Sequence, residues 1–569
     1  MEHTVDARPS AGSTVLSNAE IADRLAGLAQ LLSAQKENPY KVKAYHRAAA
    51  RIRNLPESLD EMVRREEDLT QFSGIGVAIA GAIREIITTG TLAKLEKLRA
   101  EATPAMAEVS AYPRLDPRRV ARVYKKMNIS SLGELRQHIE SGEVEKLFGV
   151  RMAQHIRQGL TQTHAMLLYR ADDLRELIAE FLLNACHVRR AEAAGDYRRR
   201  VEVIEELVFV VETDDFPSVV DRLQRYGGRT PLVDVGLDRA SFALSSGILL
   251  HLQLAKSKDW GFHMAVCTGS KAHLKKLAAV TGPLREWKDA GFASEKSLYR
   301  RFGLQYIEPE LREGHDEVER AKAGALPRLV TTEDIRGELH AHSLSSDGVD
   351  SIDDMADAAR KCGYEYIGIT DHSQSLKIAG GVSVDDLWKQ VRYIDKLNGK
   401  LRGFRILKSS EVDILADGAL DYPDDLLKEL DYTVCSIHSR FALDKKQQTE
   451  RLLRAMDNRY FNILGHATGR LLLKRPGYEI DVEQVIDHAR RNGCFFEINS
   501  SPDRLDLSAE NARKAAAAGV MIAISTDSHS TRELALVRCG LDQARRAGLR
   551  NTDVLNGLPW HKLQRLFRR

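Results

Sequence analysis

The last third of the chain contains seven short apolar segments separated by helical patterns. The segments are rich in Ile, Val, Phe and Tyr, as strands buried on both faces are. They span residues 335–343, 364–373, 405–415, 432–440, 461–470, 494–501 and 521–530. Such alternation is typical of a β/α barrel, in which the strand ends meet at one face. We therefore expect the functional residues of this region at that face.

The first hundred residues instead show helical periodicity. Ser17 and Glu20 form a predicted capping box, and apolar residues then recur every three or four positions up to Leu32. Further on, Gly74 and Gly76 flank Ile75 between helical stretches. Glycines there expose backbone N–H groups which, with the next helix N-terminus, can hold a phosphate. This pattern indicates a helix-hairpin-helix that binds the DNA backbone; the alternative is a plain tight turn.

Composition limits the class of protein. A chain of 569 residues is too long for one core, so we expect several domains. A net charge of +3 argues against a strongly basic nucleic-acid coat, and the six cysteines contain no CxxC, as in reduced cytosolic proteins. We predict that residues 1–16 form a disordered tail and not a signal peptide. No apolar run is long enough for a bilayer, so we expect no contact with a membrane. We also expect a cytoplasmic, nucleoid-associated monomer.

Nine candidate metal ligands lie at the ends of the barrel segments. They are His340, His342, Asp347, His372, Glu411, His438, His466, Asp527 and His529. Two pairs are spaced i and i+2, which places both side chains on one strand face. Isolated histidines are usually core residues, but nine suitable residues at strand ends argue against that alternative. Nine ligands are enough for two or three divalent ions, and mixed imidazole and carboxylate ligation suits manganese, zinc or iron without choosing among them.

The ligand set predicts hydrolysis of phosphate esters. Clustered divalent ions activate water for attack on phosphorus, and Glu411, Asp347 and Asp527 are the predicted catalytic carboxylates. We also predict that Arg470 acts in catalysis and that Arg504 contacts DNA, because a guanidinium matches phosphate oxygens. Structural ion pairs are the alternative for both arginines.

Several motifs carry a resemblance to a known family. RGELHAHS, GITDHS, EVDILADGALDYP, GHATGRLL and STDSHS follow AYHRAA, GIG, GDYRRR and TGSKAH in order. Together, across residues 17–569, they resemble bacterial family X DNA polymerases with a C-terminal polymerase-and-histidinol-phosphatase (PHP) domain. The resemblance implies a multidomain α/β protein with helix-hairpin-helix modules, a nucleotidyltransferase-like α+β palm and a distorted (β/α)7 PHP barrel. The implied regions are a helical DNA-binding domain (17–100), fingers (101–165), palm (166–262), thumb (263–320), linker (321–332) and PHP domain (333–569).

The resemblance also places the three carboxylates that polymerisation requires. Their positions hold Glu206, Val208 and His251, so we expect a degenerate polymerase module that helps present DNA. Asp196 likewise replaces a serine expected beside the nucleotide triphosphate.

The expected function is a metal-dependent DNA 3′-end phosphodiesterase in DNA repair. The resemblance implies manganese-stimulated 3′–5′ exonuclease activity on 3′ ends in gapped or nicked duplex, with abasic-site or 3′-end processing. Three alternatives stay open: a working gap-filling polymerase with a proofreading nuclease, a small-molecule phosphate monoesterase, and a DNA-binding scaffold without catalysis.

Overall fold

A computed structural model describes residues 16–35, 37–101, 117–129, 132–149, 152, 153, 156, 165–244, 246–288 and 290–568. The predicted tail, except Leu16, lies outside these residues, as do the ends of the predicted fingers at 102–116 and 157–164. The chain divides into two compact units. The first contains described residues up to 166 together with 171–193 and 205–257, and the second contains 167–170, 194–204 and 258–568. None of the described helices combines the length and apolarity needed to cross a membrane.

The first unit begins with a helical bundle. Its helices are Asn18–Ala34, Pro39–Arg53, Leu59–Arg64, Val77–Thr89 and Ala93–Glu101. The predicted capping box is present: Ser17 N donates to Glu20 Oε2 at 2.8 Å, and Glu20 N donates to Ser17 Oγ at 3.3 Å. Ile21, Leu25 and the apolar residues that follow them at helical spacing are buried. Three further helices have their own small core and span Pro117–Met127, Leu132–Glu140 and Glu143–Phe148.

Seven strands follow the helical part of the first unit along the described part of the chain, and five of them form a mixed sheet. The strands are β1 (Met166–Leu167), β2 (Arg190–Ala194), β3 (Val203–Ile204), β4 (Glu206–Glu212), β5 (Leu232–Val235), β6 (Arg239–Ala243) and β7 (Leu249–Leu254). Five of them form a sheet in the order β2-β4-β7-β6-β5, with β4 parallel to β7. The helices among these strands are Leu168–Asn184, Gly195–Arg198 and Phe216–Leu223. The predicted α+β character of this region is confirmed.

The second unit contains the predicted barrel. Its strands are β8 (Gly337–Ala341), β9 (Tyr366–Ile369), β10 (Arg405–Lys408), β11 (Glu411–Asp413), β12 (Val434–Ser436), β13 (Ile463–Leu464), β14 (Phe495–Asn499) and β15 (Ile522–Ser525). All pairings between neighbours are parallel. The helices are Ile352–Lys361, Val384–Asn398, Asp424–Leu427, Lys445–Met456, Val482–Asn492, Ala509–Ala517, Val537–Arg546 and Trp560–Phe567. The fold class predicted from the sequence is thus confirmed.

The barrel closes where its first and last strands meet. His342 N donates to Ser528 O at 2.8 Å, and Ser528 N donates to His340 O at 3.3 Å. The segment 405–415, predicted as one strand, is instead two strands in different sheets. Ser409 and Ser410 separate them and are buried, and Ser410 Oγ donates to Asp371 O at 2.8 Å. The sheet changes where these hydroxyl groups replace apolar side chains.

The helices Trp260–Thr268, Lys271–Thr281, Glu295–Arg301 and Glu317–Lys322 precede the barrel in the second unit. The division into units therefore differs from the predicted boundary at 321–332. Val330, inside that predicted linker, is fully buried in the barrel core, and its N–H donates to Leu549 O at 2.9 Å. The composition of residues 321–332 predicted a linker, but Val330 within it packs in the barrel core.

Candidate metal centre

Glu411 lies at the centre of the converging strand ends. Its Oε2 lies 2.8 Å from His372 Nδ1 and 3.4 Å from His340 Nε2. Its Oε1 lies 2.9 Å from His466 Nε2 and 3.3 Å from His438 Nε2. Glu411 follows the serine pair that separates β10 from β11, so the change of sheet sets its position. One carboxylate therefore touches four imidazoles, as a bridging ligand would.

Two more carboxylates extend the cluster. Asp527 Oδ1 lies 3.0 Å from His342 Nε2. Asp347 Oδ1 lies 3.3 Å from His529 Nε2, and its Oδ2 lies 3.6 Å from His372 Nε2. The structure thus brings together all nine residues predicted to bind metal.

Three overlapping groups in this cluster have the spacing of metal sites. They are His342, Asp347, His372 and His529; His340, His342, Glu411 and Asp527; and His372, Glu411 and His438. In each group, one ligand atom per residue lies within 4.8 Å of all the others. Shared ligands are what two or three neighbouring ions require.

Unsatisfied polar atoms support a metal in this place. His340 Nε2, His342 Nδ1 and Glu411 Oε2 are buried and make no hydrogen bond of good geometry among the described residues, although Glu411 Oε2 lies 2.8 Å from His372 Nδ1. A buried polar atom without a partner is costly unless another group satisfies it. Imidazole nitrogen and carboxylate oxygen are ligands of Mn, Zn and Fe, so the donor set fits divalent ions.

The electrostatics of the cluster match this interpretation. Burial lowers the pKa of His372, but the carboxylates of Glu411 and Asp347 outweigh it and raise the pKa to about 10. Burial likewise lowers the pKa of His438, yet Glu411 and Asp413 raise it to about 9. Burial raises the pKa of Glu411, but the surrounding imidazoles hold that pKa well below its ordinary range. The carboxylate of Glu411 is therefore ionised, and it is stabilised by positive charge nearby. Protonated imidazoles or divalent ions can supply that charge.

Sequence reasoning missed the groups that orient the ligands. Glu497 Oε1 lies 2.6 Å from His340 Nδ1, and Asp413 Oδ1 lies 2.6 Å from His438 Nδ1. A carboxylate on the second ring nitrogen fixes the orientation of the ring and makes it a better ligand. Both had a sequence signal. Asp413 is spaced i+2 from Glu411, and Glu497 is a lone acid inside the sixth apolar segment.

Asp371 holds the loop that carries Asp347. Its Oδ1 accepts hydrogen bonds from Ser343 N at 2.8 Å and Ser346 Oγ at 2.6 Å, and Gln390 Nε2 donates to its Oδ2 at 2.9 Å. Asp371 is fully buried. The hydrogen bonds of Asp371 therefore fix the loop between the predicted ligands His342 and Asp347.

The two predicted phosphate-binding arginines differ. The guanidinium of Arg470 donates to the carbonyl oxygens of Arg504 and Leu505 and pairs with Glu202, so its donors are engaged away from the ligands. The geometry favours the structural ion pair that was the alternative for Arg470. Arg504 Nε, in contrast, lies 3.7 Å from Asp527 Oδ2, at the edge of the metal cluster.

Comparison with known proteins finds a relative that matches nearly the full length of the chain. DNA polymerase/3′-5′ exonuclease PolX of Bacillus subtilis (strain 168) is 34% identical over 562 residues, which cover 94% of this chain and 97% of that protein. The chain belongs to the PolX family. Within this PolX chain, a helix-hairpin-helix domain model matches residues 16–92, and a PHP domain model matches residues 338–501.

Part of the PolX chain is similar to shorter proteins. A probable phosphatase of Thermoanaerobacter sp. (strain X514) is 32% identical over 230 residues, 38% of this chain and 89% of that protein. A probable phosphatase of Acetivibrio thermocellus is 29% identical over 206 residues, 35% of this chain and 80% of that protein.

The three polymerase positions lie together in this PolX chain. Val208 pairs in register with His251 across β4 and β7, and Glu206 Oε2 lies 3.3 Å from His251 Nε2. His251 Nδ1 lies 2.8 Å from the hydroxyl of Ser241. The predicted positions lie on β4 and β7 as expected. Valine offers no metal ligand, and His251 offers an imidazole where the family resemblance implies a carboxylate. Asp196 pairs with Arg199, which also donates to Thr268 O at 2.7 Å.

The glycine pair of the PolX chain forms a hairpin before a helix. Gly74 has φ +87°, a left-handed conformation that glycine adopts without strain, and Gly76 precedes the helix Val77–Thr89. Instead of a full helix, a three-residue 3₁₀ turn, Leu69–Gln71, comes before the hairpin. No side chain caps the first turn of the helix, and Val77 is 83% exposed. The hairpin therefore presents open backbone at its tip.

Proposed function

We propose that this chain is a metal-dependent DNA 3′-end phosphodiesterase, a 3′–5′ exonuclease that acts in DNA repair. The observation that carries the proposal is the cluster of nine residues, Glu411 at its centre, with its unsatisfied buried atoms. Membership of the PolX family and the helix-hairpin-helix match support DNA as the substrate. Manganese is the proposed metal, with zinc and iron as the other outcomes of a metal analysis.

The residues of the cluster divide the work. The three ligand groups would hold two or three ions, with Glu411 shared between two of the groups. When bound, such ions activate water and stabilise charge on the phosphate oxygens. Glu497 and Asp413 keep two ligating imidazoles in place, and Arg504 contacts a phosphate oxygen of the strand.

DNA reaches the protein in part through the helix-hairpin-helix. The open N–H groups near Gly74 and Gly76 bind backbone phosphates without reading the base sequence. The positions Glu206, Val208 and His251 lack two of the three carboxylates that nucleotidyl transfer uses. We propose that this module has lost efficient polymerisation and presents DNA to the hydrolase.

A primer assay tests the proposal. Purified protein is incubated with a 5′-labelled primer on a gapped template, manganese and all four nucleotides, and primer length is followed. The expected result is shortening from the 3′ end, which stops in a His340→Ala, His342→Ala variant. Lengthening of the primer would refute the loss of polymerisation.

A second substrate separates the phosphatase alternative, which the likeness to probable phosphatases favours. It is the same primer with a 3′-terminal phosphate. If phosphate is released but the primer keeps every nucleotide, the chain is a monoesterase and the exonuclease proposal fails.

A further inference from the structure

A short segment outside the barrel is bound firmly into the barrel unit. Residues 194–204 belong to the predicted palm, yet they lie in the same compact unit as the hydrolase. Their charged side chains pair with residues far along the chain. Arg198 pairs with Glu295 at 2.6 Å, Arg200 with Asp542 at 2.7 Å, and Glu202 with Arg470 and Arg546 at 3.2 and 2.6 Å. The polymerase-like half thus supplies part of the hydrolase unit.

Glu202 is the residue of this segment whose contacts lead, through Arg470, to the loop that carries Arg504 (residues 501–507). Its side chain is 17% exposed and lies between the guanidinium groups of Arg470 and Arg546. Burial raises the pKa of Glu202, but the two arginines outweigh this and lower it, so the carboxylate stays charged. A charged acceptor holds a guanidinium more strongly and in a more defined direction than water does.

Arg470 passes this constraint to the loop after β14. Its Nε donates to Arg504 O at 3.0 Å, and its Nη2 donates to Leu505 O. Leu505 has φ +44°, in the left-handed region that a leucine rarely adopts. Such a conformation persists only where the surroundings enforce it. The two carbonyl contacts from Arg470 contribute to that enforcement, together with the hydrogen bond from Leu505 N to Ser501 O at 3.0 Å.

The loop held by Arg470 carries Arg504 to the metal ligands. Arg504 is 24% exposed, and its Nε lies 3.7 Å from Asp527 Oδ2. Asn499 Nδ2 also donates to Asp527 Oδ2, at 3.1 Å. The guanidinium therefore stands beside the metal cluster while part of it remains open to a substrate.

We propose that Glu202, acting through Arg470, is a positioning residue of the hydrolase: it fixes the loop that aims Arg504 at a phosphate of the DNA strand being cut. This inference rests on the proposed function. Without the carboxylate, Arg470 loses its ion pair and can turn towards water, which releases the carbonyls of Arg504 and Leu505. A segment of the polymerase-like module is then needed for hydrolysis, although its own carboxylate positions are altered.

A double-mutant cycle tests this coupling. Wild type, Glu202→Gln, Arg504→Gln and the double variant are compared for kcat and KM on the 5′-labelled primer with manganese. Loss of one charge-assisted hydrogen bond predicts a KM about tenfold higher in each single variant, with kcat changed less than about twofold. The KM of the double variant should be no higher than that of Arg504→Gln alone, because both changes remove the same contact between Arg504 and the phosphate.

Asp542→Asn is the matched control. Asp542 is also 17% exposed and also pairs with an arginine of the same segment, Arg200. Its loss should leave KM near the wild-type value. Hydrogen–deuterium exchange of residues 501–507 should rise in Glu202→Gln and not in Asp542→Asn, while manganese content and the melting temperature show that the fold is kept. If Glu202→Gln does not fold, Glu202→Asp, which keeps the charge but shortens its reach, replaces it in the cycle.

The outcomes separate the two proposals. A wild-type protein that does not shorten DNA refutes the proposed function itself. With an active wild type, an unchanged KM in Glu202→Gln, KM effects that multiply in the double variant, or an equal defect in Asp542→Asn each overturn the positioning role.

Discussion

The candidate metal cluster and the three positions predicted for the polymerase carboxylates use the same structural device with different residues. In both, neighbouring parallel strands bring side chains together from distant parts of the sequence. At the barrel, this arrangement gathers the eight other predicted ligands around a buried Glu411. Between β4 and β7 it brings together Glu206, Val208 and His251. The side chains of Glu206 and His251 are 49% and 30% exposed.

The difference teaches that backbone geometry alone does not make a metal site. The barrel ligands are supported by acids such as Glu497 and Asp413, which lie behind the imidazoles. His251 instead contacts the neutral hydroxyl of Ser241 on one side and the exposed Glu206 on the other. A metal site thus requires the residues that orient its ligands as well as the ligands themselves.

The largest expected effect comes from removing ligands of the barrel. A His340→Ala, His342→Ala variant should lose at least about three orders of magnitude in the rate of primer shortening, because two ligand groups lose members. Bound manganese, measured by elemental analysis, should fall with it. His488→Ala is the control, since His488 lies on the helix Val482–Asn492 and contacts Asp457 instead. Equal loss in both variants would mean that the defect is general.

A smaller effect is expected from an orienting acid. Asp413→Asn should lower activity about 10- to 100-fold, because His438 loses the carboxylate 2.6 Å from its Nδ1. Titration with manganese should recover part of the rate. A variant with wild-type activity at limiting manganese would show that support behind the ligand is not what separates the two regions.

The DNA-binding hairpin offers a matched pair of glycines. Gly74 and Gly90 flank the helix Val77–Thr89, have φ +87° and +76°, and have nothing within 4 Å of an added Cβ. Alanine at either position costs about 1–2 kcal/mol in backbone strain, because both glycines are in the left-handed region. Only Gly74→Ala should weaken binding of a labelled duplex, about fivefold by fluorescence anisotropy at fixed salt, because only that change disturbs the phosphate-binding N–H groups. Equal weakening in Gly90→Ala would remove the hairpin from the proposal.

The smallest effect is expected at the altered polymerase positions. His251→Ala should change primer shortening by less than about twofold, because His251 contacts Ser241 and Glu206 and not the barrel ligands. Neither wild type nor variant should extend the primer. Extension by wild type that disappears in His251→Ala would make this histidine part of a working polymerase.

Much of the fold and the ligand set could be predicted because they depend on local patterns. Spacing at i and i+2 predicted His340 with His342 and Asp527 with His529 on shared strand faces. All four converge in the structure, although Asp527 and His529 follow the end of β15 at Ser525. The split of segment 405–415 escaped prediction, because apolar residues on both sides of Ser409 and Ser410 fit one strand as well as two.

The contacts of Arg470 could not be predicted from local sequence. Its partner Glu202 lies 268 positions earlier, and its other acceptors are backbone carbonyls, which every residue has. The exact role of a long polar side chain depends on what the tertiary fold brings near it. Patterns of spacing describe strands and helices but not such distant encounters.

The meeting of the first and last barrel strands has a consequence for the chain as a polymer. His342 and Asp527 are 185 positions apart, yet Nε2 and Oδ1 lie 3.0 Å from each other and belong to one ligand group. An ion shared by them would be a reversible cross-link that closes a very long loop, and closing long loops restricts the unfolded chain most. Occupancy of the proposed site would then be linked to the stability of the barrel.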